Sequence, residues 1–170
     1  ALVDSHKGQT IAIDALKACA DSTTLDIYGD GPDRDYLLNY ISIHKLSDRV
    51  TVYPWPDKLN MAIEKYDAFI MPSRYEGLGS ILIDIMKMKR LIIASDAGGI
   101  PDLIKHGSTG LLFESGNAKS LSKQIVLSNT SIDIKKITDT AFEFAKELTP
   151  ENMQKQYEEI YSKVITENPI

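Results

Sequence analysis

The chain has 170 residues, 43% hydrophobic and 25% charged, which is enough for one well-cored domain and too short for two. Its 24 acids outnumber its 19 Lys and Arg, and a net charge of -5 attracts neither nucleic acid nor an anionic ligand by global electrostatics, so any anion site has to be local. A single cysteine, Cys19, excludes an internal disulfide and a Cys-rich metal site. No signal-peptide pattern opens the chain and no apolar run reaches about 18 residues. A reducing cytoplasm is therefore the expected location, with peripheral membrane attachment left open.

In chain order, 9–20 carries Ile11, Ala12, Ala15, Leu16 and Cys19 at helical spacing, which predicts a helix with Cys19 as a small buried hydrophobe. A strand at 24–28, a helix at 33–44, a strand at 50–53, a short helix at 58–65 and a buried strand at 68–71 follow. The stretch 71–86, MPSRYEGLGSILIDIM, then turns from that strand through glycines into a helix whose apolar positions are Ile81, Leu82, Ile85 and Met86. Strands at 91–94 and 111–113 alternate with helices, and 118–127, 132–148 and 150–165 form a helical tail, the last with Thr149 as N-cap and Pro150 at N1. The β-then-α repeat predicts an α/β domain over 1–170, a Rossmann-like parallel sheet flanked by helices.

The glycine turn is the chemically informative element. The first amides of a helix have no partners of their own and point towards a bound anion, so strand, glycine turn and helix make a phosphate cradle. Glu76 stands at its mouth and Asp84 follows eight residues on, so that one acid can meet a polyhydroxylated group and the other a ribose.

Pro72, Ser73, Glu76, Gly77 and Gly79 spell P-S-x-x-E-G-x-G, with Asp84 eight after the first acid. Ala94-Ser95-Asp96, Gly98-Gly99-Ile100-Pro101-Asp102 and the run from Gly107 to Phe113 follow, while His6-Lys7-Gly8 and Tyr28-Gly29-Asp30-Gly31-Pro32 stand upstream. This ordered set resembles the C-terminal, nucleotide-sugar-binding half of a GT-B, group 1 (family four) retaining glycosyltransferase. The resemblance implies a donor domain that works with a separate N-terminal acceptor-binding domain, on a UDP- or GDP-sugar, without a metal or other cofactor. In the family a first strand and an arginine precede the K-G. They would fall at or before Ala1, so the first strand is expected to be truncated here.

Cleaving a glycosyl-phosphate bond builds positive charge on the sugar and negative charge on the departing diphosphate, and such a site needs donors at phosphate and oriented acceptors on the sugar. The resemblance gives Glu76 the transferred sugar and Asp84 the ribose hydroxyls. Asp84 replaces the family's usual Glu and is one methylene shorter. Lys7 and the Gly77, Leu78, Gly79 and Ser80 turn are the phosphate candidates, with Arg74 as a helper, and Gly29, Gly31, Tyr53, Pro54 and Trp55 are candidates for the nucleotide cleft. Pro54 stands where the family often has glycine. The segment 96–99 is either a plain strand-to-helix turn or cleft lining.

Other features carry less. Asp33-Arg34-Asp35 spells a metal-binding D-x-D, yet it opens a helix, where acids suit the dipole. Gly29 and Gly31 are half of a dinucleotide fingerprint without its third glycine, so NAD is not expected. His6, His44 and His106 lack ligand spacing and are expected at the surface or in turns. Lys87, Lys89 and Arg90 are expected to face solvent, the alternative being an anionic lipid surface. The other readings of the whole chain are a non-catalytic nucleotide-sugar-binding or interaction module, and a GT-B epimerase or phosphorylase.

Overall fold

The computed structural model describes residues 2–130 and 132–167, so the arginine position expected at or before Ala1 lies outside the described residues. At the start, the Asp4 side chain accepts the amides of His6 and Lys7 and closes a 3-10 turn, Ser5–Lys7. This turn was not legible as an element in the sequence. Gly8, at φ 67, then swings the chain into α1 (Gln9–Leu16).

The predicted alternation follows: β1 (Leu25–Tyr28), α2 (Arg34–Ile43), β2 (Val50–Tyr53), α3 (Leu59–Ile63), β3 (Ala68–Met71), α4 (Ile81–Lys87), β4 (Leu91–Ser95), α5 (Ile100–Leu103) and β5 (Leu111–Phe113). The tail is α6 (Ala118–Ser128), α7 (Ile134–Glu147) and α8 (Pro150–Glu167). Thr149 caps α8 as expected, its Oγ1 accepting the Asn152 amide at 3.2 Å. The one helix missed is α5, whose four residues are too few to show a periodicity.

All strand pairs are parallel. β1 pairs with β2, β4 pairs with β3 on one side and β5 on the other, and β4 is buried along its whole length. The pleat divides β4 between two cores. Leu91 and Ile93 join Ile11, Ile13, Leu16, Leu37 and Leu121 under α1, α2 and α6, while Ile92 and Ala94 join Leu82, Ile85, Met86, Ile100 and Ala141 under α4, α5 and α7. Cys19 is buried with the first core, and burial pushes its thiol pKa up.

β3 departs from expectation. A central parallel strand is covered on both faces, yet Ala68, Phe69, Ile70 and Met71 are all only half-buried. The reason lies in the sheet: β1 and β3 face each other across a largely apolar cavity of about 210 Å³ lined by Thr24 to Tyr28 on one side and Ala68 to Ser73 on the other. A doubly wound sheet of order 3-2-1-4-5-6 places a strand at that position. Leu2 runs parallel to Asp30 at the gap's end, and the Val3 amide donates to the Asp30 carbonyl at 3.0 Å.

Two of the three clustered cations have protein partners rather than solvent alone. Lys89 ends α4 in the left-handed region (φ 51), and its ammonium bonds Asp139 at 2.6 Å and lies over the Phe142 ring at 4.6 Å. Arg90 donates to the Glu64 carbonyl at 3.0 Å. The apolar stripe of α8, Met153, Tyr157, Ile160, Tyr161 and Val164, is exposed.

The bonds from Lys135 and Lys89 hold the Asp139 carboxyl well below the usual carboxylate range, at about 2. A depressed folded-state value means that this tether is fully present above the unfolded value of about 4 and is lost as pH falls towards 2. An NMR titration of the Asp139 side-chain carbonyl is expected to show a midpoint near 2, moving up towards the unfolded value in Lys135→Met and further in the double variant with Lys89→Met.

Candidate functional site

The 72–80 loop leaves the C-terminal end of β3, the end where doubly wound sheets bind ligands. Two neighbouring loops grip it. On one side the Arg74 amide donates to the His6 carbonyl at 2.7 Å, and a Cβ built on Gly8 would run into the Pro72 carbonyl oxygen. On the other, the Gly99 amide donates to the Gly77 carbonyl at 2.8 Å, and a Cβ on Gly98 would run into the Glu76 carbonyl oxygen. Below the loop, the buried Ser95 hydroxyl at the end of β4 donates to the Ser73 carbonyl at 2.6 Å. The 96–99 segment is thus more than a plain turn: it is the backing of the Glu76 loop.

This grip brings Lys7 and Glu76 together across 69 positions of sequence, with Nζ 2.9 Å from Oε2. The buried Ser73 hydroxyl donates to the same Oε2 at 3.3 Å. Among the described residues the amides of Leu78, Gly79 and Ser80 donate to no protein acceptor, and Gly79 takes φ 70 to turn them. One short loop therefore holds a carboxylate, an ammonium and three open amides, the donor and acceptor kinds that stabilise separating charge.

The remaining candidates spread around this centre. Asp84 is exposed on the first turn of α4, and Gly77 and Leu78 are exposed. The Arg74 side chain lines a second cavity of about 160 Å³ with Asp4, Ser5, Asp33 and Tyr36, a different cavity from the one that Lys7 lines. Gly31 lies against the Val3 backbone, so close that a Cβ would collide with it, and the Gly29 amide donates to the Tyr53 carbonyl at 2.9 Å. Tyr53 stacks on Tyr28 with ring centroids 5.0 Å apart, while Pro54 is exposed and Trp55 borders the cavity between β1 and β3. No group of three or more His, Cys, Asp or Glu able to hold a metal ion occurs among the described residues, Asp33 and Asp35 included. His106 Nδ1 accepts the Leu112 amide in a turn, and the exposed His6 meets Tyr75 edge to face at 5.5 Å.

Sequence reasoning missed the Ser73–Ser95 link and the aromatic network beside the gap. There Tyr66 donates to Asp26 and shares a hydrogen bond with Tyr28, and Lys65 lies over the Tyr53 and Tyr66 rings. Burial, first, and then the bond to Asp26 push the Tyr66 hydroxyl far up its range. Only Tyr28 and Tyr53, at matching ends of adjacent predicted strands, carried a signal for this cluster.

The grip can be tested apart from any ligand. Gly98→Ala adds a Cβ at φ 53 against the Glu76 backbone and is expected to cost on the order of 2 kcal/mol in denaturant unfolding. Gly77→Ala, with nothing within 4 Å of its Cβ, is expected to change stability by less than about 0.5 kcal/mol.

A family model described as glycosyl transferases group 1 matches residues 2–130. N-acetyl-alpha-D-glucosaminyl L-malate synthase of Bacillus anthracis is 27% identical over 144 residues, 84% of this chain and 38% of that protein. Alpha-D-kanosaminyltransferase of Streptomyces kanamyceticus is 36% identical over 88 residues, 51% of this chain and 23% of that protein. The chain thus spans less than half the length of these relatives. Among solved structures, Anabaena HepE in complex with UDP superposes with a TM-score of 0.85 at 24% identity, and its UDP-glucose complex with 0.82 at 25%, each over 96% of this chain and 47% of HepE. A family match over most of the described chain, on a Rossmann-like parallel sheet shared with solved GT-B enzymes, places this protein among the group 1 glycosyl transferases, with the fold of the GT-B C-terminal half.

Proposed function

We propose that this domain binds the donor, a nucleoside diphosphate sugar, and that with an N-terminal acceptor-binding domain it transfers the sugar with retention of configuration. The observation that carries the proposal is the meeting of the Lys7 ammonium, the Glu76 carboxylate and the open amides of Leu78, Gly79 and Ser80 at one strand end. Lys7 and the amides receive the diphosphate, Glu76 positions the sugar and steadies its developing positive charge, and Asp84 reaches the ribose, directly or through water. Gly77 lets the loop approach the ligand, and Arg74 is an outer helper. Gly29, Gly31, Tyr53, Pro54 and Trp55 border the nucleotide. The C1–O bond to the diphosphate breaks, the acceptor oxygen bonds C1 on the same face, and its proton passes to the departing phosphate. No metal or other cofactor is needed where ammonium and amides take up that charge.

A UDP-sugar is the donor best supported, because HepE at 25% identity was solved with UDP-glucose; a GDP-sugar is the alternative. The enzyme acts in the cytoplasm, with contact to the membrane face through its acceptor. Among the described residues no helix is long and apolar enough to cross a membrane.

Calorimetric titration of the full-length protein with UDP, GDP and ADP and their sugar conjugates tests the donor site. One nucleotide is expected to bind, Lys7→Ala is expected to weaken it by about 2 kcal/mol, and Glu76→Ala is expected to remove the preference for the sugar conjugate over the bare nucleotide. Transfer activity undiminished in Glu76→Ala would overturn the role given to Glu76 and favour a different chemistry on the same fold.

The gap between β1 and β3 belongs to the same proposal as the place of the first strand, joined to Leu2. The register of Leu2 beside Asp30, carried back along the gap, calls for about five extended residues ahead of the described chain. A chain longer by those residues is expected to protect the amides on the facing edges of β1 and β3 in hydrogen exchange and to raise Tm. Unchanged exchange would refute that placement.

A further inference from the structure

The Lys7–Glu76 pair sits where the proposed donor must also bind. Side-chain exposures of 29% and 15% place the pair at the edge of burial, so its attraction is only partly screened. Lys7 is the one cation the structure puts against the Glu76 carboxylate, and the chain as a whole carries a net charge of -5. A diphosphate that arrived while Lys7 stayed on Glu76 would meet a carboxylate first and find the ammonium's charge already matched. Ser73 supplies a second hold on that carboxylate. Its hydroxyl donates to the same Oε2 at 3.3 Å from a buried position, and its own backbone is fastened by the Ser95 hydroxyl at 2.6 Å, so one neutral contact holds Glu76 whatever Lys7 does.

Resting on the donor-site assignment above, we infer that the Lys7–Glu76 ion pair is an internal latch: in the empty site Glu76 occupies the ammonium that the donor diphosphate takes over, and Ser73 retains Glu76 when Lys7 leaves. The exchange is a proton-neutral swap of one anionic partner of Lys7 for another. It makes bare nucleoside diphosphate compete with a carboxylate of the protein itself, and it frees Glu76 to face the sugar only once the diphosphate is in place. A ligand with diphosphate and sugar therefore recovers on Glu76 what it displaces from Lys7, whereas bare nucleotide does not. Ser73 is a positioning residue here, acting through Glu76.

The test is isothermal titration of the full-length protein with UDP, GDP and ADP and with the sugar conjugate of whichever binds, in wild type, Glu76→Gln and Ser73→Ala. Glu76→Gln removes the carboxylate charge with almost no change of shape and is expected to tighten the bare nucleotide by roughly fivefold, the worth of a part-buried ion pair. Ser73→Ala is expected to leave the bare nucleotide within about twofold and to weaken the sugar conjugate by several-fold. A bare nucleotide that binds wild type and binds Glu76→Gln equally or more weakly overturns the latch while leaving the donor site standing. Loss of both ligands to the same extent in Ser73→Ala, with an unchanged unfolding curve, overturns the holding role of Ser73. Failure of all three nucleotides to bind any variant overturns the donor site and the latch together, so the two failures are distinguishable.

Discussion

The position of Glu76 depends on backbone packed directly against backbone. Three loops from neighbouring strand ends converge with no side chain between them: Gly8 admits the Pro72 carbonyl, and Gly98 admits that of Glu76 itself. Hydrogen bonds from the Arg74 and Gly99 amides fasten the loop on either side. A peptide unit held so closely has little room to shift, so the loop that carries the carboxylate has the rigidity of the sheet rather than that of a surface turn. The sheet supplies that rigidity through β4, whose alternate side chains lock into two separate cores and whose last residue, Ser95, reaches up to the Ser73 carbonyl.

An acidic chain that handles an anion has to concentrate positive potential at one point. Here a single ammonium and three unengaged amides meet at one strand end. Other cations lie against protein partners elsewhere, as Lys89 does on Asp139 and Arg49 on the Thr23 and Leu16 carbonyls. Their work is structural, and they leave Lys7 as the cation set beside Glu76. The same division holds for the acids: Asp14 receives Lys17 and the Tyr40 hydroxyl, whose pKa is pushed up to about 12, first by burial and then by that bond.

The gap between β1 and β3 is the least settled part of the sheet energetically. Peptide groups on its facing edges and the half-buried side chains of β3 meet an apolar cavity where a central strand would meet another strand. The Tyr28–Tyr66–Asp26 network closes one side of that cavity and satisfies its polar groups locally. The C-terminal ends of β3 and β4, on the other side, carry the Glu76 grip and are packed independently of it.

Periodicity by itself determined the alternating elements, one domain's worth of core, and the placement of Glu76 on a turn after a strand, because helix and strand repeats are local properties of a few side chains. Ordered motifs such as P-S-x-x-E-G-x-G and A-S-D-x-G-G-I-P identified the family for the same reason, since each is a local turn whose glycines are needed where they stand. What the sequence could not display was distance across the chain. Nothing local in Lys7 says that its ammonium lies 2.9 Å from Glu76, nor in Ser95 that it holds Ser73, nor in Ala68 to Met71 that their strand is left half-covered. Those facts arise from which strands become neighbours, and sheet order is decided by the packing of helices on both faces, which no window of a few residues contains.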